Sequence, residues 1–522
     1  MSLLEQASLV ITPNAVKESK LYSVVPSDGS GDMDVVRATT ATRVNSDGLI
    51  EVVPRNLLTY SEQFDNENWS KTNISVVANA GTAPDGTLSA DRITAATDLG
   101  AILQASTQSV QVYTQSVWVK SESGTVSGSI FGTSSSATRT DFVATTEWQR
   151  ITNTILSLGG TRFPQIRLDL SGTSILIWGA QLEQGSTATE YFPTTTRLNI
   201  PRIDYTNGSC PSILVEPQRT NLLVRSEEFD NSPIWPASSG VTRLANQAIA
   251  PNGTNTMDLI TFPIFGNSIS QSVIVISGAT YTFSVWLATQ SGTQTVEIGN
   301  INAGVYQSVT VTNTPQRFQV TQVASATNRF PAIRATANYS ILAWGAQLEA
   351  GSYPTSYIPT VAATSTRNAD VISKTGISGL IGQTEGTLFS NFYYNGQAKG
   401  GTQLYPFYIG QGTYEDSIAI GIYEDKLLCR VFVSGTPQNN FVSSTLSIGV
   451  HKVAFVYATN NLKLFLDGSL IATDTSATIP TCSQVYIGAS GTTVNAQSIN
   501  VNNNILYKTA LTDQECINLT TL

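Results

Sequence analysis

The sequence predicts an all-β protein of tandem antiparallel β-sandwiches, with little helix beyond an N-terminal segment and a short C-terminal helix. Three observations carry this. The 522 residues are only 12% charged but 41% hydrophobic, so the chain can bury cores yet lacks the Lys, Glu and Arg that long amphipathic helices need. Its short segments alternate apolar and polar residues with period two. And 39 glycines, with Asn, Asp and Pro, punctuate those segments as turns.

A repeat sets the order of the elements. Asn56-Leu57-Leu58 through Phe64-Asp65-Asn66 recurs as Asn221-Leu222-Leu223 through Phe229-Asp230-Asn231. Ala83-Pro84-Asp85-Gly86 recurs as Ala250-Pro251-Asn252-Gly253, and Tyr113 to Val119 recurs as Tyr281 to Leu287. Trp178-Gly179-Ala180-Gln181-Leu182-Glu183 recurs as Trp344-Gly345-Ala346-Gln347-Leu348-Glu349. These are two copies of one sandwich module, 54–196 and 217–363. Within them Tyr281, Phe283, Val285 and Leu287 are expected on one strand face and Trp286 on the other, while Leu342, Trp344, Ala346 and Leu348 are expected to share a face.

The stretch 364–384 reads as a polar connector. From 385 to 522 new strands follow, expected to build a different sandwich. Asp467-Gly468 between two apolar runs is a two-residue hairpin turn. Thr512 with Glu515 three residues on is a capping box that opens a short C-terminal helix.

The Asn-Leu-Leu openings and the Trp-Gly-Ala-Gln-Leu-Glu…Tyr-Ile-Pro-Thr closings resemble the carbohydrate-binding-module-like jelly rolls of tail- and head-fibre proteins of bacterial viruses. Arg37 to Val52, together with Pro201 to Gly208 and Ile213 to Leu223, is similar to a recurrent segment of such virion proteins. The expectation is that 37–53 and 197–216 form one small hairpin-rich unit, with turns at Asp47-Gly48 and Asn207-Gly208, into which the first module is inserted. The stretch from His451 to Gly468 and the ending Leu506 to Glu515 resemble the concanavalin-like, laminin-G-like family. These resemblances imply a structural appendage, head fibre or tail fibre, anchored to capsid or tail proteins through residues 1–36.

Chemistry is sparse. One histidine, His451, and four scattered cysteines, Cys210, Cys429, Cys482 and Cys516, leave no metal-ligand spacing and no catalytic constellation, so no catalytic or metal residue is assigned. Whether Cys429 pairs with Cys482 stays open. The Glu415-Asp416 and Glu424-Asp425 pairs flank turns and do not share a strand face as a glycosidase pair would. Ser27 to Asp34 has the wrong order for a calcium loop. A calcium ion at a sandwich rim leaves little sequence trace and stays open; no other cofactor is expected. Trp118 and Trp286 are the candidate sugar platforms, since each lies opposite the apolar face beside a serine, and a pyranose stacks on an aromatic ring. Trp178 and Trp344 are expected in the core, Trp69 and Trp235 as plugs.

The net charge of −9 argues against a nucleic-acid partner. No run of apolar residues is long enough to insert in a membrane, and the first residues do not read as a secretory signal. The expected role is adhesion to host-surface polysaccharide from a virion, without catalysis, by a homo-oligomer: a trimer first, a dimer second. The rivals are a shell decoration that binds no sugar and a polysaccharide depolymerase.

Overall fold

The computed structural model describes residues 2–108, 112–132, 139–158, 160–397, 403–491, 493–494 and 498–522. The protein is all-β, as its alternation and turn content predict. It divides into two compact units, Val52–Ile200, and Met1–Glu51 with Pro201–Leu522.

In the unit Val52–Ile200, a five-stranded sheet runs Gln149–Leu156, Val112–Lys120, Ser174–Gln184, Ala90–Ala95, Ile74–Gly81. It faces a second sheet centred on Val126–Phe131 and Gln165–Leu168. Val117, Val119, Ile130, Ile166 and Ile177 meet between them, fully buried. Trp69 closes the end against Phe64, ring centroids 4.9 Å apart, and its indole N–H donates to the Tyr60 carbonyl. The recurring opening motif has a mechanical purpose. The Asn56 amide donates to the carbonyls of Ala180 and Phe192 and so ties the module's first residues to its last. Asn221 makes the same two bonds to Ala346 and Ile358 in the second copy.

The larger unit holds that second copy. Its five-stranded sheet runs Thr242–Ile249, Asn255–Phe262, Tyr339–Ala350, Thr280–Ala288, Gln316–Val323. Phe283, Val285, Ile298, Ile333 and Leu348 fill the core, with Trp235 as the plug against Phe229. One expectation fails here. Leu342 and Trp344 do not share a face with Ala346 and Leu348. The pairing of Tyr339–Ala350 with Thr280–Ala288 slips at Gly345, whose φ is +66°, and such a bulge turns the following residues over. Ile341, Ala343, Ala346 and Leu348 point into the sandwich, whereas Leu342 and Trp344 pack on the outer face with Trp286. Gly179, at φ +64°, does the same in the first copy and turns Trp178 outward.

The third sandwich is assembled from both ends of the chain. Strand Glu385–Tyr394 lies between Gly449–Ala458 and Ile499–Tyr507. The far edge of Ile499–Tyr507 pairs with Ala7–Lys17 and with Ser212–Val215. In the opposing layer, Val371–Thr375 pairs with Gln484–Ile487 on one side and Met33–Val36 on the other. Leu9, Ile11, Leu21, Met33 and Val35 are therefore core residues alongside Ile213, Val215, Phe407 and Phe455. This corrects three expectations. Within 1–36, the stretches Ala7–Lys17, Lys20–Val25 and Met33–Val36 are strands packed into this sandwich and not a segment separate from it. The stretch 364–384 is not a plain connector, because Val371–Thr375 completes a sheet. The two segments 37–53 and 197–216 do meet, the Tyr205 amide donating to the Val44 carbonyl and the Val44 amide to Asp204, but Met1–Glu51 and Pro201–Leu522 belong to the larger compact unit and so do not stand as a separate small one. The Asp467-Gly468 turn has positive φ at both residues, and both bonds of the Thr512 capping box are made. Cys429 and Cys482 are separate buried thiols.

A buried ionic cluster joins these segments. Arg202 pairs with Glu216 at 2.6 Å and with Asp370; Arg37 pairs with Asp370 at 2.8 Å and Arg367 with Glu216 at 2.8 Å. Burial alone would raise both carboxyls. The Arg202 and Arg367 charges outweigh it at Glu216, as Arg202, Arg37 and Arg367 do at Asp370, and hold both below the ordinary carboxylate range.

Candidate functional site: the outer aromatic face and its cavity

Because of the bulge, each module carries a polar and aromatic patch outside its sandwich. In the second copy Trp286 sits directly opposite Trp344 across the strand pair. The two rings meet edge-on at 5.3 Å, and Tyr357 packs against both, at 5.4 and 4.7 Å. The Arg317 guanidinium lies 4.5 Å from the Trp286 ring centroid. It is aimed there by donating to the Thr355 carbonyl at 2.6 Å and to Ser284 Oγ at 2.9 Å. The Tyr357 hydroxyl donates to Glu227 at 3.0 Å, and burial pushes that carboxyl up to about 7.

The first copy repeats the set. Arg150 donates to the Thr189 carbonyl and Ser116 Oγ, Trp178 meets Tyr191 at 4.7 Å, and the Tyr191 hydroxyl donates to Glu62, whose pKa burial also raises. Trp148 stands where the second copy has Pro315, and its indole N–H donates to the Thr82 carbonyl.

The two patches differ in what covers them. In the larger unit the N-terminal hairpin lies over the second copy's patch. Thr42 Oγ1 donates to the Tyr357 carbonyl, the Ile50 amide to the Pro251 carbonyl at 2.9 Å, and Leu49 packs on Gly253. What remains is a cavity of about 810 Å³ whose walls include Trp286, Tyr357, Arg317, Arg43, Tyr393, Asn395 and Asn500. Trp286 is consequently only 9% exposed, with one face under Arg317. It forms a wall of the cavity and is not the open stacking platform expected of it. Trp118 is half-buried, within a cluster of Trp148, Trp178 and Tyr191. Trp178 and Trp344 belong to these outer patches, not to the sandwich cores.

Two carboxylates, Asp204 and Glu216, reach the cavity wall, and their oxygens already have partners. Asp204 accepts from the amides of Val44 and Thr206. Glu216 accepts from Arg202, Arg367 and Ser356. His451 lies elsewhere, with Nδ1 2.7 Å from Asp467 and Nε2 2.9 Å from the Ser447 carbonyl. Asp28 accepts from Ser30 within its own turn. Among the described residues no three His, Cys, Asp or Glu side chains gather as a metal site would require.

The alternation that placed Trp118 and Trp286 outward did not find Arg150 and Arg317, Tyr191 and Tyr357, or Asn395 and Asn500. The Gln-Arg dipeptides at 149–150 and 316–317 recur in the repeat and are the signal that could have found the arginines.

No family model matches the chain, and no curated protein matches it. Solved structures give distant likenesses. The Ruminococcus gnavus IT-sialidase CBM40 bound to α2,3-sialyllactose is 20% identical over 27% of this chain and 84% of its own, with a TM-score of 0.23. The tandem CBM22-1–CBM22-2 domain of Paenibacillus barcinonensis Xyn10C is 12% identical over 60% of this chain and 99% of its own, with a TM-score of 0.21. A botulinum neurotoxin type C structure is 13% identical over 29% of this chain and 39% of its own, with a TM-score of 0.25. Likenesses this distant carry no information on ligand or activity.

Proposed function

We propose that the chain is a glycan-binding adhesin without catalytic activity, a head- or tail-fibre appendage of a bacterial virus. The observation that carries the binding is the cavity that the second module's aromatic face forms with the N-terminal hairpin and the third sandwich. It combines an apolar indole wall with guanidinium and carboxamide groups, the mixture that takes a sugar's apolar ring face and its hydroxyls together. Asp204 and Glu216, the carboxylates on the cavity wall, are bonded to backbone amides and to buried arginines, which supports a structural role for both. The viral setting rests on the likeness of 37–52 and 201–223 to virion segments.

A single site of millimolar affinity supplies about 4 kcal/mol. Several sites on one oligomer and several oligomers on one particle raise avidity by factors of roughly 10² to 10⁴, so weak individual sites suffice. The test is a glycan array probed with the intact chain and with Trp286→Ala. Binding is expected for the intact chain, falling about tenfold or more in the variant. A blank array at high protein concentration would support the decoration alternative, and released oligosaccharide would support a depolymerase. Immunogold labelling of particles tests the viral setting, and its absence from both head and tail would remove it.

A further inference from the structure

The first module keeps the aromatic patch of the second but not its roof. A Cβ added at Gly253 would meet Leu49 of the N-terminal hairpin at 3.0 Å, whereas one added at the matching Gly86 would meet nothing within 4 Å. The Pro251 carbonyl accepts the Ile50 amide. Its counterpart on Pro84 accepts no hydrogen bond among the described residues. Pro84, Asp85, Gly86 and Thr87 are all exposed, while Thr254, the match of Thr87, is buried.

Trp148 takes over the apolar part of the hairpin's task. In the second copy Ile50 packs against the cluster of Ala250, Trp286, Trp344 and Tyr357. In the first copy the matching cluster of Ala83, Trp118, Trp178 and Tyr191 has Trp148 as its added member. The Trp148 indole N–H is spent on the Thr82 carbonyl, which fixes the ring. An aliphatic hairpin is therefore not what this face lacks. Trp118, Trp148 and Tyr191 are each half-buried, beside the anchored Arg150 guanidinium and a turn with an open backbone acceptor. A pyranose matches that mixture, because its apolar ring face can stack on an indole while its hydroxyls donate to a carbonyl and accept from a guanidinium. We infer that this open face is a second saccharide-binding site, carried by the first module, so that each chain holds two. The inference rests on the proposed glycan adhesion.

The test is a glycan array probed with the full chain, Trp148→Ala, Trp286→Ala and the double variant, each checked for folding by its unfolding transitions. Each single variant is expected to keep binding at least one saccharide, with apparent affinity about tenfold or more lower through lost avidity. The double variant is expected to leave the array blank. Hydroxyl-radical footprinting of the parent needs no substitution: each saccharide that Trp286→Ala still binds should protect Trp148 from oxidation. A blank array for folded Trp286→Ala, binding by Trp148→Ala equal to that of the parent, or no protection of Trp148 would each overturn the inference and leave adhesion through the cavity standing. Should Trp148→Ala keep the binding of the parent but change its sedimentation, the face would instead be a contact between copies of the chain. A blank array for the folded parent would overturn both readings.

Discussion

Asp370→Asn probes what holds the cavity together. The Asp370 carboxylate is buried and accepts from Arg37, Arg202 and the Glu216 amide. Without its charge, three guanidiniums face Glu216 alone, two positive charges in excess within a buried space. Breaking a buried pair from one side costs about 3 to 5 kcal/mol, and the excess charge places this variant near 5. Arg202→Met is the informative comparison, because it leaves two guanidiniums and two carboxylates, still paired as Arg37–Asp370 and Arg367–Glu216; about 3 kcal/mol or less is expected there. The unit containing the cluster has roughly 370 residues. At about 2.1 cal/mol/K per residue its unfolding entropy is near 0.8 kcal/mol/K, so the shifts in Tm are about 6 °C and at most about 4 °C. Differential scanning calorimetry reads both, and the transition of Val52–Ile200 should stay in place as an internal reference. Both carboxyls have folded pKa values below their unfolded ones, so their contribution is present above about pH 4 and lost as pH falls through the folded values. The deficit of Asp370→Asn should accordingly shrink below pH 4. Equal shifts for the two variants, or a larger one for Arg202→Met, would refute the charge count.

Gly345→Ala forces a side chain onto a residue at φ +66° and brings its Cβ within 2.8 Å of the Trp286 ring; a cost of about 1 to 2 kcal/mol for the backbone alone and a clear loss of glycan affinity are expected, read by chemical denaturation and titration. Gly179→Ala, whose Cβ would meet Trp118 at 3.3 Å, should disturb its module less. The bond to Asp467 raises the His451 pKa, against a lowering effect of burial and with help from the Ser447 carbonyl. Its raised pKa contributes stability that is complete below about pH 6.5 and lost as pH rises through the folded value, so the stability gap between the parent and His451→Gln should narrow as the pH rises above about 6.5.

The sandwich modules were legible because their signals are local. Alternation, Gly-containing turns and a long repeat are all written in consecutive residues, and Asp467-Gly468 and Thr512 behave as their dipeptide and capping chemistry dictate. The outer aromatic face was half legible. Trp118 and Trp286 point outward by simple alternation, but Trp178 and Trp344 do so only because a single left-handed glycine in each module interrupts the period. A period-two reading carries straight through such a residue and places the tryptophans in the wrong layer. The N-terminal strands were illegible for another reason. Leu9, Ile11 and Leu21 alternate over stretches too short to distinguish a sheet strand from a tail, and the partners of Leu9 and Ile11 lie hundreds of residues away at Asn504–Leu506. The ionic cluster has no local signature, since Arg37, Arg202, Glu216, Arg367 and Asp370 come together only through that long-range pairing.

The same distance effect determines which parts of the chain can bind. The cavity is not a property of the second module: its roof comes from Thr42, Leu49 and Ile50, one wall from Asp204 and Thr206, and another from Tyr393 and Asn500. A fragment spanning 217–363 keeps Trp286, Trp344, Tyr357 and Arg317 but loses the roof and the carboxamide walls. Glu216 and Asp370 lie outside the fragment, so the Ser356 contacts that help shape the rim at Thr355 are lost as well. Such a fragment should expose Trp286, which solute quenching of its fluorescence can read, and should bind oligosaccharides at least tenfold more weakly than the full chain. The fragment 52–200, a compact unit with its own core, should instead fold alone. Full-strength binding by the 217–363 fragment would mean that the aromatic face alone is the site and that the hairpin contributes nothing to recognition.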